Sequence, residues 1–173
     1  KGILDFLTGD LWTVGFRVRP HAFFAAVHEL PHPRTAPPFD DVTLFSGGLD
    51  SLIGAIDVLE TGGIPLLVSH VGESATSAAQ NTCFKELKRN YTQQPFQRLR
   101  VWMRFPKDLV RGVAKEDTTR GRSFLFFAIG AFAGTGLGRA FTVRVPENGL
   151  IALNVPLDPL RLGSLSTRTT HPF

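Results

Sequence analysis

Val42-Thr43-Leu44-Phe45-Ser46-Gly47-Gly48-Leu49-Asp50-Ser51-Leu52 is the stretch that decides how this chain is read. Residues 42–45 make a short apolar run, the pattern of a strand buried on both faces. Residues 52–60 follow as a helix, apolar on most faces and stopped by Gly62-Gly63. Between them, residues 46–51 must turn the chain in little space. Two glycines permit a tight turn and a close approach of the backbone to a ligand. The turn opens a helix, whose unpaired N–H groups and positive dipole end attract an anion. Ser46 and Ser51 add hydroxyl donors for phosphate oxygens. Asp50 is out of place beside a bare phosphate, so it either holds Mg²⁺ or caps the helix. The mixture points to a magnesium-complexed pyrophosphate. The plain alternative for the same residues is a Gly-Gly turn with an Asp or Ser N-cap.

Outward from this stretch, short apolar runs alternate with helical stretches. Strands are expected over 64–70, 98–105 and 141–145. Helices are expected over 75–91 and 123–135, the first with Ala75, Ala79, Cys83, Leu87 and Tyr91 on one stripe. The second is expected to be buried and closed by Gly136 and Gly138. In 98–105, Leu99, Val101, Met103 and Phe105 alternate with Arg98, Arg100, Trp102 and Arg104, which predicts one buried and one basic face. Residues 106–120 read as a charged loop or short helix, and the tail from Pro156 as a loop. The fold class implied is α/β, a parallel sheet covered by helices on both faces. Ligands of such sheets sit beyond the carboxyl ends of the strands, which singles out 46–51, 70–74, 106 onward and 146–148. Residues 1–38 stand apart as an N-terminal extension. They hold a possible strand over 11–18 and a stiff linker with Pro31, Pro33, Pro37 and Pro38. The domain proper is expected over 39–173, with truncation at its C-terminus and a longer region upstream.

Taken whole, Ser46-Gly47-Gly48-Leu49-Asp50-Ser51 after a first buried strand resembles the PP-loop of the ATP pyrophosphatase family. The resemblance implies an adenine-nucleotide α-hydrolase-like, Rossmann-like fold. It also implies ATP cleavage between the α and β phosphates, with adenylation of a carboxyl or carbonyl oxygen. On that reading Ser46, Gly47, Gly48, Leu49, Asp50 and Ser51 bind ATP, with His70 and Gly72 beside the nucleotide. Asp50 and Arg122 take catalytic roles, and Asp50 holds Mg²⁺ through the pyrophosphate. No Walker A string is present.

Within that family, two further stretches resemble 7-cyano-7-deazaguanine synthases. Ser69-His70-Val71-Gly72-Glu73 stands where the synthases have aspartate-tyrosine-glycine-glutamine, and Gly72 matches. Gly121-Arg122-Ser123 before an apolar run resembles their glycine-arginine-asparagine motif, with serine replacing asparagine. After the fourth strand, Val145-Pro146-Glu147-Asn148-Gly149 departs from them. Glu147 and Asn148 are candidates for a purine-like edge or a metal, or equally form a turn. His171 is a further candidate in the tail, which lies where the synthases approach their zinc-binding cysteines. One cysteine cannot supply that cluster, so zinc enters only with ligands beyond Phe173. The resemblance covers about residues 40–173. Divergent relatives of this kind occur in anti-phage defence operons as well as in nucleoside biosynthesis, so a protein partner from such an operon is implied.

Composition bounds the rest. At 173 residues and 43% apolar, the chain makes one globular domain with an appendage and is no disordered segment. A single cysteine, Cys83, excludes a disulfide scaffold and suits a reducing, cytoplasmic compartment. It falls on an apolar helical stripe and reads as core. No apolar run reaches the ~18 residues of a membrane span, and no signal peptide opens the chain. The net charge of +4 is uneven. Residues 1–84 carry 4 basic and 9 acidic side chains, 85–122 carry 11 and 4, and 123–173 carry 4 and 2. The basic middle segment could guide anionic ligands through Arg98, Arg100, Arg104, Lys107 and Arg111, but by itself does not point to nucleic acid. His28-Glu29-Leu30-Pro31-His32 fits the zincin string, yet Pro31 and Pro33 break the helix that this chemistry needs. Gly134-x-Gly136-x-Gly138 lacks a preceding strand and reads as a helix terminus.

The function expected is ATP-dependent ligation. A deazaguanine-like carboxylate, such as 7-carboxy-7-deazaguanine, is adenylated and passed to ammonia or another amine. Two alternatives are an ATP-binding scaffold subunit without turnover and a tRNA-modifying PP-loop enzyme. The latter would want a cysteine pair.

Overall fold

Val42 and Thr43 are both fully buried although their side chains leave opposite faces of one strand. That strand, β1 (Asp41–Leu44), is therefore central. The structure, a computed structural model, describes residues 2, 4–5, 11–18, 38–72, 74–103 and 122–148. After β1 come α1 (Leu49–Glu60), β2 (Pro65–Val71), α2 (Ser74–Asn90), β3 (Gln97–Trp102), α3 (Arg122–Thr135) and β4 (Val143–Arg144). The strand order is β3-β2-β1-β4, and every pairing is parallel. Pro65 stands first in its strand, where a missing N–H costs no ladder bond.

This order explains the two cores. Parallel crossovers are right-handed, so successive steps in one direction put α1 and α2 on one face. The chain then returns past β1 to β4, and the reversed step puts α3 on the other face. Phe45, Ala55, Leu59, Leu67, Leu87 and Phe96 fill the α1–α2 side. Phe39, Val42, Val68, Ile129, Ala133 and Leu137 fill the α3 side. The expected sheet with helices on both faces is thus what forms.

Several expectations change in detail. Helix α1 begins at Leu49, so half of the six-residue loop is already helical. Residues 11–18 form no strand; no described strand pairs with them, and Leu11 is 96% exposed. Without a neighbour to take its backbone bonds, such a run has no reason to extend. The spacing-four stripe along α2 turns inward only over its second half, where Cys83, Leu87 and Tyr91 meet the α1–α2 core. Gln80 and Leu87 are the buried residues of the helix, while Ala75 and Ala79 are exposed. Cys83 is half-buried against the α1–α2 core. Helix α3 is not wholly buried, since Phe132 is 77% exposed on its outer side. Its end does run through Gly136 to Gly138, as the glycine spacing predicts.

The face of β3 expected to be basic and solvated is covered by α2. Arg98 donates to the Gln80 carbonyl and to Asn81 Oδ1, and lies 4.4 Å from the Phe84 ring centre. Burial, then the neighbouring Arg100, lowers its pKa. Arg100 donates to Ser77 Oγ. On the other face Leu99 is exposed, because β3 is an edge strand and α3 packs over β1, β2 and β4. These two arginines are therefore committed to holding α2. Arg104, Phe105, Lys107, Arg111, the 106–120 segment and the His28–His32 string lie outside the described residues.

Candidate functional site

The order of strand addition reverses between β1 and β4, and the carboxyl ends of these strands flank the crevice where open α/β sheets place ligands. Both candidate stretches, 46–51 and 145–148, lie at that crevice.

The first is built from its own atoms. Gly47 has φ +82°, a left-handed conformation that disfavours other residues. A Cβ there would also stand 2.6 Å from the backbone nitrogen of Gln80, so the loop rests directly on α2. Cys83 Sγ approaches the Gly47 carbonyl at 3.6 Å from the same helix. Ser51, buried, braces the turn: its Oγ accepts the Gly47 N–H at 3.1 Å and donates to the Gly48 carbonyl at 2.8 Å. Ser46 Oγ donates to Ser51 Oγ at 3.1 Å and accepts the Gly48 N–H at 3.3 Å. The hydroxyl of Ser51 is thus the loop's internal support, whereas exposed Ser46 faces the crevice edge. Gly48 is the N-cap of α1 and no side chain caps the helix. Asp50 is accordingly a first-turn residue and not the cap that one sequence reading allowed. The positive helix end stays open toward the crevice.

The second stretch is brought in by packing. A Cβ on Gly54 would stand 2.5 Å from Pro146 Cγ, so this mid-helix glycine lets the exit of β4 close onto α1. Glu147 follows, one residue on. Its carboxyl is held above the usual glutamate range, first by burial and then by the charge of Asp50. Its side chain still reaches solvent, so the effect belongs to a crowded edge. Asn148 is exposed beside it. The fold thus brings together Asp50 and Glu147, which stand far apart in the chain. A carboxylate whose proton affinity is raised by a second carboxylate nearby suits a cation. No third His, Cys, Asp or Glu joins them among the described residues. A bound Mg²⁺ would therefore take its remaining ligands from phosphate oxygens and water, the usual habit of that ion.

A hollow of about 80 Å³ adjoins the loop, lined by Ser46, His70, Gly72, Thr76, Gln80 and Phe126 together with Phe45. His70 is the penultimate residue of β2 and Gly72 follows the strand's end, so both stand at the edge where the sequence places them. His70 Nε2 lies 3.1 Å from the Met103 carbonyl, and its ring centre is 5.9 Å from that of Phe126. A carbonyl only accepts, so Nε2 carries a proton and donates in this contact. Gln80 is 1% exposed; its Nε2 donates to the His70 carbonyl at 3.0 Å, and its Oε1 has no hydrogen-bond partner. Arg122 opens α3, one turn before Phe126. His171 and Gly149 lie outside the described residues.

Sequence reasoning missed Gln80, Thr76, Phe126 and the Gly54–Pro146 contact. A glycine inside a helical pattern is a sequence mark of close backbone approach, so Gly54 was discoverable. Nothing in the sequence around Gln80 marks it as buried. A comparison with known protein families, curated proteins and solved structures found no match.

Proposed function

We propose that this chain binds ATP at the β1–α1 loop and adenylates a carboxylate, in the manner of the PP-loop ATP pyrophosphatases. The observation that carries this reading is the placement of Ser46–Ser51. The loop joins the central strand to an uncapped helix end, beside the point where the order of strand addition reverses. The backbone around Gly47 and Gly48 and the open helix end hold the phosphates. Ser46 adds a donor, and Ser51 keeps the turn in shape. Asp50 and Glu147 hold Mg²⁺, which when bound neutralises charge building on the phosphates. The adenosine end is assigned to the hollow of His70, Gly72 and Gln80.

In the reaction a carboxylate oxygen attacks the α-phosphorus. The bond from that phosphorus to the bridging oxygen breaks, and pyrophosphate leaves with the electron pair. An amine then displaces AMP from the acyl adenylate, losing a proton and giving an amide. Arg122, which opens α3, is the residue assigned to meet the developing negative charge in this reading. By the sequence resemblance the acid is 7-carboxy-7-deazaguanine and the amine is ammonia. A deazaguanine-like carboxylate is thus the proposed small-molecule partner.

The test is ATP–pyrophosphate exchange with 7-carboxy-7-deazaguanine, comparing the wild-type chain with Asp50→Ala. Exchange is expected in the first and lost in the second. ATP binding without exchange, whichever carboxylate is offered, would replace this reading with that of an ATP-binding scaffold subunit.

A further inference from the structure

A second surface lies away from the crevice, along the outer side of α1. Leu49, Leu52, Ile53 and Ile56 recur at i, i+3, i+4 and i+7 and so form one stripe. Its inner members, Leu52 and Ile56, are partly buried against the α1–α2 core, beside the buried Ser51, Ala55, Val58 and Leu59. Leu49 is 71% exposed and Ile53 47% exposed. Beside this stripe runs a groove of about 410 Å³ between α1 and α2, floored by Leu52, Ile56 and Leu87. The hollow beside the loop is several times smaller, so this is the roomier depression of the two.

Charge says what belongs there. Both charged residues lining the groove are acidic, Glu60 from α1 and Glu86 from α2. Glu60 accepts the Tyr91 hydroxyl across the groove, which fixes its carboxylate on the rim. Among the described residues Glu86 pairs with its helix neighbour Arg89 alone, at 3.9 Å with both side chains well exposed, an arrangement that binds weakly. Every charged residue of α1 is acidic: Asp50, Asp57 and Glu60. A second copy seated with its α1 on this α1 would set carboxylates against carboxylates, which opposes that mode of self-association.

We infer that the α1–α2 groove docks a basic amphipathic helix of another protein. Its apolar side chains fill the floor over Leu52, Ile56 and Leu87, and its lysines or arginines meet Glu60 and Glu86. Helix α1, with 12 residues, is about 18 Å long and matches some three turns of such a partner. The inference uses no residue of the nucleotide crevice except Leu49, whose side chain is not needed for it.

The experiment uses the whole chain and two synthetic peptides about eighteen residues long. Both place leucine on one helical face; one carries lysine elsewhere and its twin carries glutamate. Fluorescence anisotropy is expected to give at least about tenfold tighter binding of the lysine peptide. The doubly substituted Glu60→Lys, Glu86→Lys chain is expected to reverse that preference. Ile53→Asp, at a half-exposed position, is expected to weaken the lysine peptide by about tenfold, with circular dichroism confirming the fold. Three results would overturn the inference: equal affinity for the twins, indifference to the charge reversal, or a wild-type dimer in sedimentation that Ile53→Asp dissolves. The last would make a second copy the occupant. Each readout is independent of ATP turnover.

Discussion

The exits of β1 and β4 flank one crevice but are built in opposite ways. The β1 exit supports itself: Gly47 takes the left-handed turn, and Ser46 and Ser51 tie the loop to its own backbone. The β4 exit leans on another element. It is held in place by Pro146 resting on Gly54 of α1, after a strand only two residues long. A self-braced loop keeps its shape for a ligand that must always find the same amides. A loop packed on a neighbouring helix can bring its carboxylate in while leaving it accessible to solvent. The two halves therefore respond differently to substitution.

The largest expected effect is at Gly47. Alanine there meets both the positive φ and the backbone of Gln80, and neither can be relieved by moving a flexible side chain. Gly47→Ala should destabilise the chain by about 3 kcal/mol in urea unfolding and abolish ATP binding. Next comes Ser51→Ala, which leaves the Gly47 N–H without its acceptor in a buried place. A loss of about 1–2 kcal/mol is expected, with weakened nucleotide binding, measured by the same unfolding curves and by calorimetry. Gly54→Ala should cost less, about 1 kcal/mol. The clash with Pro146 is partly offset by the better helix propensity of alanine, and Pro146 can shift outward. Should Gly54→Ala cost as much as Gly47→Ala, the contrast between a braced and a propped exit would fail.

The smallest effect is electrostatic and sharpens the same contrast. Burial and Asp50 raise the pKa of Glu147, so the folded chain binds its proton more readily than the unfolded chain does. Its contribution to stability is therefore most favourable below the ordinary glutamate pKa and declines as pH rises through the raised folded value. Carboxyl NMR titration should find Glu147 above the usual range in the wild-type chain. In Asp50→Asn it should fall back toward that range, with the burial contribution remaining. Glu147→Gln should remove this part of the pH dependence. A Glu147 that ignores Asp50→Asn would mean that the two exits do not meet.

How much was legible follows from what each residue's role depends on. The Ser46–Ser51 turn is local, because its glycines, its hydroxyls and the helix it opens lie within one short stretch. His70 and Gly72 were legible by a weaker rule, that residues at the end of a parallel strand face the ligand edge. The arginines of β3 were misjudged because alternation separates the two faces of a strand but does not say which face a helix covers. Arg98 and Arg100 carry aliphatic stems and flat guanidinium groups, so α2 packs on them through Phe84, Asn81 and Ser77. The residues 11–18 show the converse. Their composition suits a strand, but none forms without a neighbouring strand to pair with.

By itself the sequence determined the α/β class, the sheet with helices on both faces and the position of the glycine turn after the first strand. Those depend on periodicity and on dihedral freedom, which act over a few residues. Only the tertiary structure decided the β3-β2-β1-β4 order, the meeting of Asp50 with Glu147, the burial of Gln80 and the acidic groove between α1 and α2. These depend on which side of β1 the chain returns to, and on helix faces defined only once the neighbouring layers are packed.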